Sequence, residues 1–345
     1  MGSNDPKEEL LTQESPALPV VSGLALWQWR QDACKSAVEA NVSTTEVDWL
    51  LQEVAGLDPL ALRLESYKGR LQIELRYSLS RLSDLWHRRL HDRLPVQYLV
   101  GVTPWRHFSL KVSPAVLIPR PETEYLIDLA RMAVREGLKV ESLKVEGSHQ
   151  QPQPSNLQSA NLQLEQGHWV DLGTGSGAIA IGLADAFPAA TIHAVDYSAD
   201  ALSIAQLNAQ QLGFAERIQF YQGSWWEPLV ALQGQVSGMV ANPPYIPSSW
   251  IQELQPEVRH HEPHLALDGG SDGLDYIRQL IEISPDYLRS GGIWLIEMMA
   301  GQADTVVQLL HQQGSYCNIQ IFSDLAGIER FALAYRREGV GRLAS

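Results

Sequence analysis

The sequence predicts an α/β protein: a seven-stranded, mostly parallel sheet covered on both faces by helices, preceded by a small helical domain and a linking β-hairpin. Three observations predict it. From residue 168 onward, short apolar runs of strand length alternate with longer helical segments, the pattern of a parallel sheet. A glycine-rich turn, Gly173-Thr174-Gly175-Ser176-Gly177, follows the first of those runs directly. Before residue 95, by contrast, apolar residues recur at the three- and four-residue spacings of helices.

The elements follow in order. At 345 residues the chain exceeds one minimal core and divides into two domains. Residues 1–20, rich in Pro, Glu and Ser, are expected to form a disordered tail. Residues 21–95 should form the helical domain. Its first helix covers 24–40, and a second opens at Thr44 or Thr45 and carries Val47, Leu50, Leu51 and Val54. A third spans about 70–93 with Leu75, Leu79, Leu82, Trp86 and Leu90 on one face. That segment also bears Arg70, Arg76, Arg81, Arg88, Arg89 and Arg93, read either as a solvated face or as a docking face for a partner.

Over 96–120 the pattern changes. Phe108, Leu110 and Val112 alternate with polar residues, and Val116-Leu117-Ile118 follow Pro114, which predicts two short strands and a β-hairpin linker. The main domain, 121–340, opens with a helix near Pro121 that carries Leu126, Leu129, Ala130 and Val134. Residues 139–167 are Gln-, Ser- and Pro-rich and read as a flexible surface insertion. Strands are then expected at 168–172, 191–196, 218–223, 236–241, 292–298, 319–323 and 330–336, with helices near 177–187, 199–213, 273–289 and 302–313. Only Ser323 to Glu329 separates the last two strands, so these should pair antiparallel.

Composition excludes several classes of function. Against 26 Lys plus Arg stand 40 Asp plus Glu, a formal net charge of -14, which repels nucleic acid unless a local basic patch intervenes. Cys34 and Cys317 are too few and too far apart for a disulfide framework or a structural zinc site, and they fit a reducing, cytoplasmic compartment. No apolar run is long enough to span a bilayer. The polar start is no signal peptide, and Pro6 stands where a myristoylation pattern wants Ser or Thr.

The first candidate site is a cofactor site. The glycines permit a tight turn and close backbone approach to a ligand, although Gly173, Gly175 and Ala178 also satisfy a dinucleotide fingerprint. The next strand, Thr191-Ile192-His193-Ala194-Val195-Asp196, ends in a carboxylate that can accept from a ribose diol. Ser198 is available to cap the following helix, which frees Asp196 for that role. These two elements fit either a nicotinamide dinucleotide or S-adenosylmethionine.

Asn242-Pro243-Pro244-Tyr245 decides between them. It follows a strand directly and should face the same crevice as Gly173 and Asp196. Two prolines fix the backbone and donate no hydrogen bond, leaving the Pro243 carbonyl as an acceptor beside the Asn242 side-chain oxygen. Two acceptors and the Tyr245 ring suit a flat, conjugated –NH2 group. Such a nitrogen is a poor nucleophile, and acceptors pulling on its hydrogens localise the lone pair toward a methyl donor, by positioning and electrostatics.

Further stretches narrow the reading: Pro95-Val96-Gln97-Tyr98-Leu99-Val100-Gly101, Pro119-Arg120-Pro121-Glu122-Thr123-Glu124 after Val116-Leu117-Ile118, Glu262-Pro263, and Ala266-Leu267-Asp268-Gly269-Gly270-Ser271-Asp272-Gly273-Leu274. Over roughly residues 24–336 the chain resembles the release factor glutamine methyltransferases, class I S-adenosylmethionine-dependent enzymes with a Rossmann-like catalytic domain. The resemblance implies methylation of the glutamine in the Gly-Gly-Gln motif of peptide chain release factors by a monomer, with the helical domain seating the partner. It implies that Gly173, Thr174, Gly175, Ser176, Gly177, Asp196, Trp225 and Asn242 hold the cofactor. Asn242, Pro243, Pro244 and Tyr245 would grip the glutamine amide, with Asn242, Pro243 and Tyr245 catalytic. Ser224 stands where the family often has Asp.

Other readings explain less. A ribosomal-protein glutamine methyltransferase shares Asn-Pro-Pro-Tyr but not, as a rule, the Arg-Pro-Glu-Thr stretch. A nucleic-acid amino-methyltransferase would need a basic groove. A nicotinamide oxidoreductase leaves Asn-Pro-Pro-Tyr unexplained, and a cofactor-binding protein without catalysis would transfer no methyl. His260-His261-Glu262-Pro263-His264 lacks the helical spacing of a metal pair, and no metal is expected.

Overall fold

A computed structural model of the chain describes residues 18–141 and 164–338. The tail expected at 1–20 lies outside the described residues up to 17, and the insertion expected at 139–167 lies outside them over 142–163. The borders of that insertion need correcting. The helix Tyr125–Glu141 runs into it from one side. On the other side Leu164 is buried in the core, and its carbonyl accepts from the Trp169 indole at 2.8 Å.

The chain folds as two units, Met1–Val100 and Gly101–Ser345. The first contains the helices Gly23–Glu39, Thr45–Ala55, Pro59–Leu64, Leu79–His91 and Val96–Val100. Three of these starts carry a side-chain cap. Ser22 accepts from the Ala25 amide, Asp58 from Ala61 ahead of Pro59, and Ser78 from Arg81. Val47, Leu50, Leu51, Leu82 and Trp86 fill the core between the helices.

Two expectations fail here. The third long helix starts at Leu79, not near residue 70, because Ile73–Glu74 pairs with Val20–Val21 and Ser78 caps the helix after it. Leu75 is fully buried but from this extended stretch, so its apolar character imitated a helical repeat. The arginine face is also thinner than the sequence implied. Arg89 is buried and grips Glu46 through both sides of its fork at 2.5 and 2.8 Å. Arg76 and Arg93 donate to the carbonyls of Val100 and Ala40. Arg70, Arg76, Arg81 and Arg88 are exposed, Arg88 with Asp92 at 3.6 Å.

The second unit opens with the hairpin Val102–Trp105 and Phe108–Lys111. It is displaced from the expected one: residues 96–100 are helical, and Val116 to Ile118 form no strand. Pro104 hid the first strand, being tolerated only because a two-stranded ribbon leaves one edge unpaired.

The central sheet has seven strands. They are β1 (His168–Leu172), β2 (Thr191–Asp196), β3 (Ile218–Gln222), β4 (Val236–Ala241), β5 (Leu288–Glu297), β6 (Tyr316–Ser323) and β7 (Glu329–Arg336). Their order is β6-β7-β5-β4-β1-β2-β3. All pairs are parallel except those of β7, which lies antiparallel between β5 and β6.

Alternating side chains enter two separate cores. Trp169, Ile192, Ala194, Val240, Leu295 and Leu333 face the helices Tyr125–Glu141 and Ala178–Ala186. Val170, Leu172, Val195, Met239, Ile296 and Ala334 face Asp275–Tyr287 and Ala303–Gln313. Burial on both faces is why most of these strands read as largely apolar segments. Between β1 and β4 the strand order reverses direction, and a crevice opens beyond their carboxyl ends. Among the described residues no helix is long and apolar enough to cross a membrane.

Candidate active site

The turn after β1 is built for close approach. Gly173, Gly175 and Gly177 all have positive φ, at 79°, 54° and 83°. The Thr174 hydroxyl donates to Asp171 at 2.5 Å, and the Ala180 amide donates to the same carboxylate oxygen at 2.9 Å. Asp171 thereby ties the turn to the helix behind it, at the cost of burial, which pushes its carboxyl up to about 7. Asn208 adds a bond to the Ser176 carbonyl at 2.8 Å.

A cavity of about 450 Å³ lies over this turn. Gly173 and Gly175 line it, with Asp196 from the end of β2, Trp225, and Asn242 and Pro244 after β4. Thr174, Ser176 and Gly177 do not line it. Thr174 and Ser176 are buried in the turn, and a Cβ on Gly177 would meet Ala205 at 3.1 Å.

Asp196 Oδ2 accepts from the Gly175 amide at 2.8 Å and Oδ1 from the Ser198 amide at 2.9 Å. Ser198 caps the next helix through Ala201, as expected. Each Asp196 oxygen keeps a second lone pair for a hydroxyl in the cavity. Burial raises its carboxyl, opposed by those backbone donors. Trp225 takes a left-handed φ of 50° and packs beside Tyr276, with ring centroids 5.3 Å apart. Its indole lies just above Gly173, where a Cβ would sit 3.6 Å from the ring. A diol acceptor, an indole wall and a glycine floor in a cavity of ligand size fit an adenosine-type group. Ser224 lines the same wall.

Asn242 and Pro244 also line the cavity. Pro243 and Tyr245 stand behind them. The Tyr245 hydroxyl donates to Glu297 Oε1 at 3.0 Å, the Thr123 hydroxyl to Glu297 Oε2 at 2.7 Å, and Asn242 Nδ2 to Thr123 Oγ1 at 3.2 Å. Glu297 is 2% exposed. Burial raises its carboxyl and holds the Tyr245 phenol well above its ordinary range. The Tyr245 ring is therefore anchored from behind.

Sequence reasoning did not assign roles to several residues that shape this site. Ala115, Val116 and Leu117 form one side of the cavity, and Pro263, Leu265 and Ala266 another. The two sides are tied by Glu262, which is buried and accepts from Arg120 at 2.6 Å and from the Ile118 amide at 3.3 Å. That spends Glu262 on structure and not on a metal. Among the described residues no cluster of three His, Cys, Asp or Glu is placed to hold one. The glycines at 269 and 273 have an equally local purpose. A Cβ on Gly269 would lie 2.7 Å from the Pro244 carbonyl, and one on Gly273 would lie 2.2 Å from that of Tyr245.

Residues 164–236 match a family model described as a methyltransferase domain. Among curated relatives, the release factor glutamine methyltransferase of Synechocystis sp. is 50% identical over 314 residues, covering 91% of this chain and 97% of its own length. The protein of the same name from Thermosynechococcus vestitus is 44% identical, covering 91% of this chain and 99% of its own. That of Gloeobacter violaceus is 42% identical, with 89% and 96% covered.

Proposed function

The chain belongs to the release factor glutamine methyltransferases, and from that premise we propose how its site works on its substrate. It is an S-adenosylmethionine-dependent enzyme that methylates the side-chain amide nitrogen of the glutamine in the Gly-Gly-Gln motif of peptide chain release factors. The observation that carries the site assignment is that one cavity is lined by both a diol acceptor, Asp196, and an amide side chain, Asn242.

Asp196 would hold the ribose hydroxyls, Trp225 the adenine, and Gly173 and Gly175 the backbone-lined floor. When bound, S-adenosylmethionine supplies an activated methyl group on a positively charged sulfur. The Asn242 side-chain oxygen accepts from the glutamine –NH2, which draws its lone pair out of conjugation, and Pro243, behind the wall, fixes the backbone that carries Asn242. Pro244 shapes the pocket, and Tyr245 backs it. Thr174, Ser176 and Gly177 act through the turn they build.

We read the enzyme further as a cytoplasmic monomer acting on protein and not on nucleic acid, a reading supported by the net charge of -14. The first unit would help seat the release factor, with Arg81 and Arg88 as exposed positive contacts. Incubation with radiolabelled S-adenosylmethionine, release factor, ribosomal protein and RNA, followed by fractionation, tests the reading. Label should enter release factor. Label in ribosomal protein or RNA would overturn the substrate.

A further inference from the structure

We propose that Glu297 and Thr123, which stand behind the cavity wall, determine which way the Asn242 side-chain amide faces, so that its oxygen and not its nitrogen meets the substrate –NH2. This rests on the methyl-acceptor pocket proposed above. The oxygen and nitrogen of an asparagine amide have nearly the same shape, so packing does not select between the two orientations; hydrogen-bond partners do.

Glu297 makes that selection from the carboxyl end of β5. Its two oxygens receive the hydroxyls of Tyr245 and Thr123 at 3.0 and 2.7 Å. An ionised carboxylate has no proton to offer, and a pair of hydroxyls aimed at its two oxygens is the arrangement that form accepts. Burial raises the Glu297 carboxyl, and the Thr123 and Tyr245 hydroxyls, then the Arg330 charge, oppose that rise. Thr123 owns a single hydroxyl proton. Once that proton is committed to Glu297, Thr123 Oγ1 can only accept from its other neighbour. That neighbour is Asn242 Nδ2, at 3.2 Å. An Asn242 oxygen turned to the same spot would face another lone pair. The Nδ2 group is therefore held on Thr123, and Oδ1 is left for the cavity that Asn242 lines. The opposite orientation would set N–H against the N–H of the substrate amide.

The Arg-Pro-Glu-Thr stretch thus connects to the Asn-Pro-Pro-Tyr stretch through one threonine proton. Thr123 and Glu297 are positioning residues, since both act through Asn242. In Glu297→Gln the replacement offers one acceptor and one donor. When its –NH2 side faces Thr123, the threonine hydroxyl turns to donate toward Asn242, and the Asn242 amide turns over.

Turnover at saturating cofactor and release factor, with calorimetry of S-adenosylmethionine binding, tests this. Glu297→Gln and Thr123→Val should each lower kcat by about 10–100-fold while cofactor Kd stays within about 2-fold. Thr123→Ser, which restores the hydroxyl, should recover kcat to within about 3-fold of the parent. In an Asn242→Ala background, Thr123→Val should lower kcat no further, a non-additivity that a purely structural threonine would not show. If Glu297→Gln does not fold, the two Thr123 variants decide alone. A folded Thr123→Val enzyme with kcat within about 3-fold of the parent, or one whose loss persists without Asn242, would overturn the positioning role. Failure of the parent enzyme to methylate release factor would instead sink the pocket assignment itself.

Discussion

Replacing Gly273 with alanine is expected to damage an active site to which Gly273 contributes no side chain. The residue has φ of 77°, and an added Cβ would lie 2.2 Å from the Tyr245 carbonyl oxygen and 2.8 Å from Gln302 Nε2. Contacts under 3.0 Å are essentially never adopted, so the Tyr245 carbonyl or the 269–273 loop must retreat. The retreat pulls on a buried junction, where Gln302 Nε2 donates to the carbonyls of Tyr245 and Gly273 at 3.1 and 3.2 Å. Left-handed backbone costs alanine about 1–2 kcal/mol. Stranding one buried amide or carbonyl costs about 1–3 kcal/mol more. Gly273→Ala should thus lose roughly 2–5 kcal/mol in urea unfolding followed by tryptophan fluorescence. Because the shift acts on Tyr245 directly, turnover should fall by up to about 10²-fold, the scale of a 1 Å misplacement. Gly301 is the control, with φ of 87° and no heavy atom within 4 Å of a built Cβ. Gly301→Ala should lose only the backbone cost and keep its turnover. If Gly273→Ala behaves like Gly301→Ala on both measures, close packing against the Asn-Pro-Pro-Tyr turn is not what the glycine is for.

Asp196→Ala should weaken S-adenosylmethionine binding by about 1.5–3 kcal/mol, the scale of a hydrogen bond to a charged group, and calorimetry on the folded variant checks it. Leu164→Ala should destabilise the second unit by about 2–5 kcal/mol despite its place at the end of a polar stretch, since it is 2% exposed within the main core. Unchanged thermal unfolding would return that residue to the surface. His193 is buried between His168 and Tyr221, at 2.9 and 3.1 Å, and burial lowers its imidazole to about 4. Below about pH 6.5 the unfolded chain takes up a proton that the folded one refuses, so stability is present above that pH and lost as pH falls toward 4. The loss amounts to about 3 kcal/mol, and His193→Gln should flatten it in unfolding curves taken across that window.

The sheet was readable because its chemistry is local. Strands buried on both faces leave apolar runs such as Ile293 to Ile296, whichever partner they later find. That Gly173, Gly175 and Asp196 meet at one cavity was readable for a similar reason: they end or follow neighbouring parallel strands, so strand order alone brings them together. What stayed hidden depends on pairs far apart in the chain. Glu297 reaches Thr123 across 174 residues, and Glu262 reaches Arg120 across 142, and no spacing rule couples such positions. Thr174 and Ser176 turn inward and do not line the cavity, and a motif lists residues without saying which side chains turn inward. Arg89 looked like surface charge because its partner, Glu46, sits on another helix.

The central claim is best tested by tandem mass spectrometry of release factor after incubation with enzyme and S-adenosylmethionine. One added methyl is expected, on the side chain of the glutamine in the Gly-Gly-Gln motif. It should form about 10²–10³-fold more slowly with Asn242→Ala, the scale of losing one preorganised polar group. A methyl on another residue, or formation at an unchanged rate without the Asn242 amide, would contradict the account.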